Sequence, residues 1–163
     1  MFAMDISAEP VLMVGVIIAR EDGKLLIHKS ENWRGKYTFP GGKVMYGETL
    51  EEAVIRTAQE ETGITVADPK LLLVMEMIDD PESSARSSHI VGFGFTCTVG
   101  LMPGKRLETA VSFEWADAHE AEKMDMVTWA RKALEKYTSG NTRLQFGSRV
   151  ARDLKDAIDM EPD

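Results

Sequence analysis

The residues of this chain best equipped for chemistry stand close together. Glu48, Arg56, Glu60 and Glu61 all fall inside the stretch 42–64, GKVMYGETLEEAVIRTAQEETGI. Arg56 precedes Glu60 by four positions, within side-chain reach on one face of a helix. On a helical wheel at about 100° per residue, Leu50, Val54, Thr57 and Glu61 form one stripe, with Glu60 beside it. The first members are apolar, so the stripe is expected to face the core, and Glu61 stands where a core residue belongs. A carboxylate there must be paired or hold a metal, because burying a bare charge is too costly. The competing reading, a solvated face of i,i+4 ion pairs, does not account for Glu61 on the apolar stripe.

These residues need a scaffold on either side. Pro40-Gly41-Gly42 is expected to make a tight turn where backbone can approach a ligand. Thr49 is the expected N-cap of the helix, with Glu51 and Glu52 in its first turn and Gly63 as the residue that ends it. Upstream, residues 11–19 (VLMVGVIIA) form a continuous β-branched run suited to a strand buried on both faces. A turn at 20–23 returns it as KLLIH, making a hairpin that ends at His28, read as a strand-end polar residue. Residues 1–10 read as a loose lead-in, 30–36 as a polar loop and 37–40 as a short extended segment.

Downstream, 70–78 and 89–99 are long strands, and the glycines of the second mark a bulge or a close backbone approach. Between them, 79–88 (DDPESSARSS) is a polar loop of a length that often covers a site. A turn at 100–105, a loop and a short strand SFEWA follow. Residues 117–137 read as one amphipathic helix with Met124, Val127, Trp129, Ala130 and Leu134 on its apolar face, and Ser139-Gly-Asn141 breaks it. Residues 150–160 read as a short terminal helix that must dock to be stable. Strands alternating with helices around one sheet give an α/β fold class.

At 163 residues the chain is expected to be one domain. Its net charge of −8 argues against non-specific binding to nucleic acid or an anionic membrane. It leaves room for a nucleotide substrate, because a bound divalent cation reverses the local field. Cys97 is the only cysteine, which excludes an internal disulfide and a cysteine-built zinc site; it is read as a buried small hydrophobe. The sequence has no recognisable signal peptide or membrane span, so the expected compartment is the cytoplasm.

The spacing G-x5-E-x7-R-T-A-x-E-E-x-G-I resembles the signature of the Nudix hydrolase family, G-x5-E-x7-R-E-U-x-E-E-x-G-U with U aliphatic. Gly42, Glu48, Arg56, Ala58, Glu60, Glu61, Gly63 and Ile64 match it, and the preceding Phe39-Pro-Gly41 resembles the usual lead-in. With its flanking strands and helices, the resemblance covers residues from about 11 to 137. It implies a Nudix-like α/β/α sandwich with a mixed central sheet: a single domain, 1–163, in which 140–163 is a C-terminal helical extension. It also implies Mg²⁺- or Mn²⁺-dependent hydrolysis of a diphosphate linkage in a nucleoside diphosphate derivative or nucleotide. Glu60, Glu61 and the Gly41 carbonyl would hold the metal, and Arg56 would orient carboxylates including Glu48. The chemistry agrees, since diphosphate cleavage needs cations to offset phosphoryl charge and activate water, and Mg²⁺ takes a few hard oxygen ligands. The implied partner is a nucleotide-type small molecule, not nucleic acid or membrane, and the resemblance is compatible with a homodimer.

One position departs from the signature: Thr57 stands where the family has a glutamate after the arginine. Threonine can hold a water but cannot serve as a carboxylate base. In the first alternative, an outside carboxylate takes over, with Glu108 first choice and Glu114 second. In the second, the chemistry resembles the GDP-mannose mannosyl hydrolase branch, which uses a histidine base to attack the sugar carbon. His119 would be that base, and SSHIVGFGF resembles a strand of that branch, although Glu60 is present where the branch lacks it. In the third, the domain binds a nucleotide without cleaving it. Trp33, Tyr46, Phe93 and Trp115 are the candidates to stack on a base. The loops at 30–36, 79–88 and 106–109 are expected to set specificity.

Overall fold

Strand β1 (Val11–Ala19) is the axis of the molecule. Its β-branched run pairs in parallel with β6 (His89–Val99) from Val11↔Ile90 to Ala19↔Thr98. The computed structural model describes residues 9–85, 88–100, 113–151 and 157–160, the last four and 149–151 by backbone alone. Beyond β6 lies β5 (Val66–Ile78), antiparallel to it, with register shifts between Ala67/Lys70 and Leu71/Leu73. The sheet is mixed, in the order β3 (Lys36–Thr38), β2 (Leu25–Ser30), β1, β6, β5, β8 (Gln145–Ala151), β9 (Ala157–Met160), with β4 (Gly41–Lys43) and β7 (Phe113–Ala116) branching from β1 and β2.

The other side of β1 forks. β2 (Leu25–Ser30) meets it at Ala19↔Leu25. Further along, β4 (Gly41–Lys43) takes that place, paired at Met13↔Lys43, Val14↔Gly42 and Gly15↔Gly41. β2 instead continues between β3 (Lys36–Thr38) and β7 (Phe113–Ala116). A cleft opens between the two branches.

Period-two alternation divides the core between the two faces. Val14, Val16, Ile18, Phe95 and Cys97 pack with Ala53, Val54 and Ala58 of α1 (Leu50–Thr62). On the opposite face Ile17, Leu73, Met75 and Met77 pack against α2 (Ala118–Glu122) and α3 (Thr128–Ser139). This is the expected α/β/α sandwich with a mixed sheet. Cys97 is buried as anticipated, and burial pushes its thiol up to about 12, so it is no nucleophile.

Three sequence expectations are corrected. The segment Pro40–Gly42 is no tight turn: Gly41 and Gly42 lie in β4, and neither has a positive φ. Glycine is needed there for proximity, because a Cβ would stand 2.9 Å from the Val14 carbonyl oxygen at Gly41 and 2.9 Å from Thr57 Oγ1 at Gly42. The helix expected over 117–137 is two helices. Between them the Tyr37 amide donates to the Asp125 carbonyl (2.9 Å) and the Val127 amide to the Tyr37 carbonyl (3.0 Å), so strand-like pairing with β3 interrupts the helix. Arg131 locks the break by donating to the carbonyls of Glu122 (2.8 Å) and Met124 (2.7 Å).

Of the terminal helix expected over 150–160, the described residues, 150–151 and 157–160, are strand. β8 (Gln145–Ala151) runs parallel to β5, and β9 (Ala157–Met160) folds back on it antiparallel. A helix that short is marginal by itself. The free edge of β5 instead offers ladder partners to residues 145–150, and β8 in turn pairs with β9.

Candidate functional site

The site begins with the capping of α1. Thr49 accepts from the Glu52 amide (3.2 Å) and Glu52 accepts from the Thr49 amide (2.7 Å), a reciprocal box that fixes where the helix starts. Just before it, the Met45 amide donates to Glu48 Oε2 (2.8 Å) and folds the loop so that Glu48 faces the helix. Arg56 receives it: Nε donates to Glu48 Oε1 and Nη2 to Glu48 Oε2 (2.9 Å). The same guanidinium donates to Glu60 Oε2 (3.0 Å) and to the Lys43 carbonyl (2.7 Å). Arg56 therefore ties the loop, β4 and the last turn of α1 together. Its hydrogen bonds, and after them that of the Met45 amide, hold the Glu48 carboxyl below the usual carboxylate range.

Glu61 differs from both. It is half-buried and faces β4, where the Gly41 amide donates to its Oε2 (3.3 Å). Burial raises its pKa; the Gly41 amide opposes the rise and the neighbouring Glu60 charge adds to it. A half-buried carboxylate next to a second, exposed one is where a cation relieves both desolvation and repulsion. Glu60, Glu61 and the Gly41 backbone offer hard oxygens only, which suits Mg²⁺ or Mn²⁺. Among the described residues no three Asp, Glu, His or Cys side chains converge as a metal cluster.

Thr57 does not occupy this site. It is 1% exposed, packed beneath Gly42, and its hydroxyl is buried with no hydrogen-bond partner. The departure from the signature thus places a small core residue where a carboxylate would have to be accommodated.

A cavity of about 1310 Å³ fills the cleft at the fork and reaches Gly41, Glu60 and Glu61. Trp33 and Phe93, two of the residues expected to stack on a base, lie in its lining. Tyr46 does not: it is fully exposed and outside the lining. Trp115 lies under the Arg20 guanidinium, 4.9 Å from its ring centroid, also outside the lining. Glu114 is exposed on β7. His119 is exposed on α2 and lies 3.4 Å from Glu122, outside the cavity lining. Glu108 and the loop at 106–109 lie outside the described residues, as does the lead-in 1–8.

Three lining residues escaped the sequence reading. His28 faces the cleft between Thr38 of β3 and Phe113 of β7, its ring 4.6 Å from that of Phe113. Burial lowers its pKa, against the carbonyls of Lys29 and Phe39. Thr38 carries a buried hydroxyl without a partner. Trp129 stands on the apolar face of α3, where helical periodicity alone reads it as core. No local signal distinguishes these residues, because the fork that exposes them is built from distant strands.

The NUDIX domain profile matches residues 10–137. A curated ADP-ribose pyrophosphatase of Methanocaldococcus jannaschii is 34% identical over 118 residues, 72% of this chain; the match spans 63% of that protein's length. A MutT protein from Bacillus halodurans superposes with a TM-score of 0.71 at 25% identity, covering 91% of this chain and 94% of that one. The Nudix domain of Shewanella oneidensis NrtR, solved with ADP-ribose, shares the fold with a TM-score of 0.65 at 18% identity.

Proposed function

The chain belongs to the Nudix family, and from that premise we propose that it hydrolyses a diphosphate linkage in a nucleoside diphosphate derivative or nucleotide, with Mg²⁺ or Mn²⁺ at Glu60, Glu61 and the Gly41 carbonyl. The observation that carries this reading is the Arg56 hub, which holds Glu48 on one side and, on the other, Glu60 directly beside half-buried Glu61. A bound cation supplies charge neutralisation at the phosphoryl oxygens and a more acidic water. The chain's own residues do the rest. Arg56 orients carboxylates without facing substrate, the Gly41 amide fixes the Glu61 carboxylate, and the flat β4 backbone lets a diphosphate approach closely. Thr57 takes no part in proton transfer, since its hydroxyl is buried beneath Gly42. Proton abstraction from the attacking water falls to a carboxylate: Glu108 is the candidate from outside the helix.

The cavity runs from Gly41, Glu60 and Glu61 on to Trp33, His28 and Phe113, which leaves room for a substrate with groups on both sides of the diphosphate. ADP-ribose, named for the Methanocaldococcus relative, is therefore the first compound to try. The test is a panel of ADP-ribose, nucleoside diphosphate sugars and nucleoside triphosphates with each metal, followed by ³¹P NMR. Two phosphorylated halves are expected. A free sugar with intact nucleoside diphosphate would replace this reading by attack at the sugar carbon, and no turnover of any compound would refute it. Arg56→Lys, which loses the forked contact, is expected to lower kcat/KM about 10- to 100-fold.

A further inference from the structure

The backbone that leads to the Gly41 carbonyl is a crossover between two ladders. Residues 36–38 pair with β2 as β3, residues 41–43 pair with β1 as β4, and Phe39 and Pro40 join them. Pro40 has no amide hydrogen, which puts weight on the carbonyls of this bridge. On the β1 side the Val16 amide donates to the Pro40 carbonyl (2.8 Å). On the β2 side the Phe39 carbonyl is a hydrogen-bonding partner of the His28 ring.

His28 is the direct partner of Thr38 in β3 and of Phe113 in β7. By alternation its side chain shares the sheet face of Leu26, which packs toward α1, and not that of Ile27, which packs toward α3. It therefore stands on the side of the sheet that carries Glu60 and Glu61. The Phe113 ring, 4.6 Å away and tilted by 46°, supports one side of the imidazole. Nδ1 lies 3.1 Å from the Lys29 carbonyl oxygen. Those two contacts stay within β2 and β7; the Phe39 carbonyl is the one that reaches the crossover.

Phe39 is 1% exposed and packs edge-on to Trp129, with ring centroids 6.3 Å apart. Core packing thus fixes where Phe39 sits. The direction of the peptide plane that follows it is set by what its carbonyl binds. Proline restricts the residue before it and its own φ, so that direction passes with little slack to Gly41. There the Gly41 amide donates to Glu61 Oε2 (3.3 Å).

We propose that His28 is a positioning residue of the metal site: by holding the Phe39 carbonyl it sets the peptide plane that leads through Pro40, and so places the Gly41 carbonyl beside Glu61. It acts through backbone and not on the reacting atoms. The assignment rests on the metal reading above, in which the Gly41 carbonyl is a ligand, and extends the support of that ligand to β2.

The experiment titrates the full chain with Mn²⁺ in the absence of substrate and counts free Mn²⁺ by EPR. His28→Phe keeps a ring against Phe113 and removes the N–H, whereas His28→Gln gives up the ring and keeps a side-chain N–H. His28→Phe is expected to raise the Kd for Mn²⁺ about tenfold, and His28→Gln to recover most of that loss. With a turned-over nucleotide, the deficit of His28→Phe should appear as a higher Mn²⁺ requirement, with kcat restored at saturating metal. His28→Leu, which also lacks the N–H, carries the same comparison if His28→Phe does not fold. Equal Mn²⁺ affinity in wild type and His28→Phe would overturn the assignment alone. So would a deficit in His28→Gln as large as in His28→Phe, since ring packing and not the N–H would then be what matters. Mn²⁺ binding that follows the expected order without any turnover would uphold the assignment and refute the hydrolase reading. A wild type that binds no Mn²⁺ would overturn the assignment together with the metal reading.

Discussion

At the scale of single residues, the site rests on how three carboxylates and one threonine are treated differently by their surroundings. Glu48 is held ionised by Arg56, whereas Glu61 is burdened by burial. A folded-state carboxyl with a raised pKa binds its proton more tightly than in the unfolded chain. Its contribution to stability is fully present below the unfolded pKa and is lost as pH rises through the folded value. In chelator, the wild type is therefore expected to lose stability relative to Glu61→Gln as pH climbs through that window, and thermal melts of the two proteins check it. A cation favours the ionised form, so Mg²⁺ should reverse the trend. Thr57 offers a second test. Thr57→Glu places a carboxylate under Gly42 and should destabilise the metal-free protein by about 2 kcal/mol or more, whereas Thr57→Val, which only removes an unpaired hydroxyl, should be near neutral. Denaturant unfolding measures both. If Thr57→Glu is tolerated in chelator, the burial argument at this position is wrong.

At the scale of elements, much of α1 was legible beforehand. Thr49, Glu52 and Gly63 are local signals: each acts on backbone groups within four residues, so chain order alone reveals them. The polar segment 79–88 was also legible as a loop, but its attachments were not. The Ser84 amide donates to the Asn32 carbonyl (2.9 Å) and Arg34 Nε to the Pro81 carbonyl (3.0 Å), joining it to the turn at Glu31–Trp33 on the rim of the cavity. Glu82 accepts from the Thr128 amide (2.8 Å) at the start of α3 and lies 3.4 Å from Lys36 Nζ. A carboxylate at a helix N-terminus complements both the unpaired amides and the dipole. Glu82→Ala should cost about 1–2 kcal/mol and speed amide exchange at Thr128 and Ser84. Hydrogen exchange read by NMR would show whether the loop and the helix end loosen together.

For the whole molecule, the consequential features are the fork at β1 and the strands that close the far edge. β8 covers β5 from Leu73 to Ile78. A chain ending before Gln145 should expose that ladder, melt at a lower temperature and self-associate through the bare edge; calorimetry and light scattering would report it. A truncated protein that melted like the full chain would mean the edge pairing contributes little.

The sequence by itself determined the elements whose causes are local or periodic. The apolar runs at 11–19 and 89–99 became β1 and β6 with those bounds, and the spacing from Gly42 to Ile64 announced a helix with its carboxylates at one end. Tertiary structure decided everything that depends on a partner far along the chain. Residues 123–127 leave the helix because Tyr37 offers them a ladder, and residues 145–150 are extended because β5 has an edge to fill. Trp129 changes from a core residue into a cavity wall because Gly15, more than a hundred residues earlier, makes room beneath it. Amphipathic periodicity says which side of an element is apolar; only the meeting of two elements says whether that side is filled or left open for a ligand.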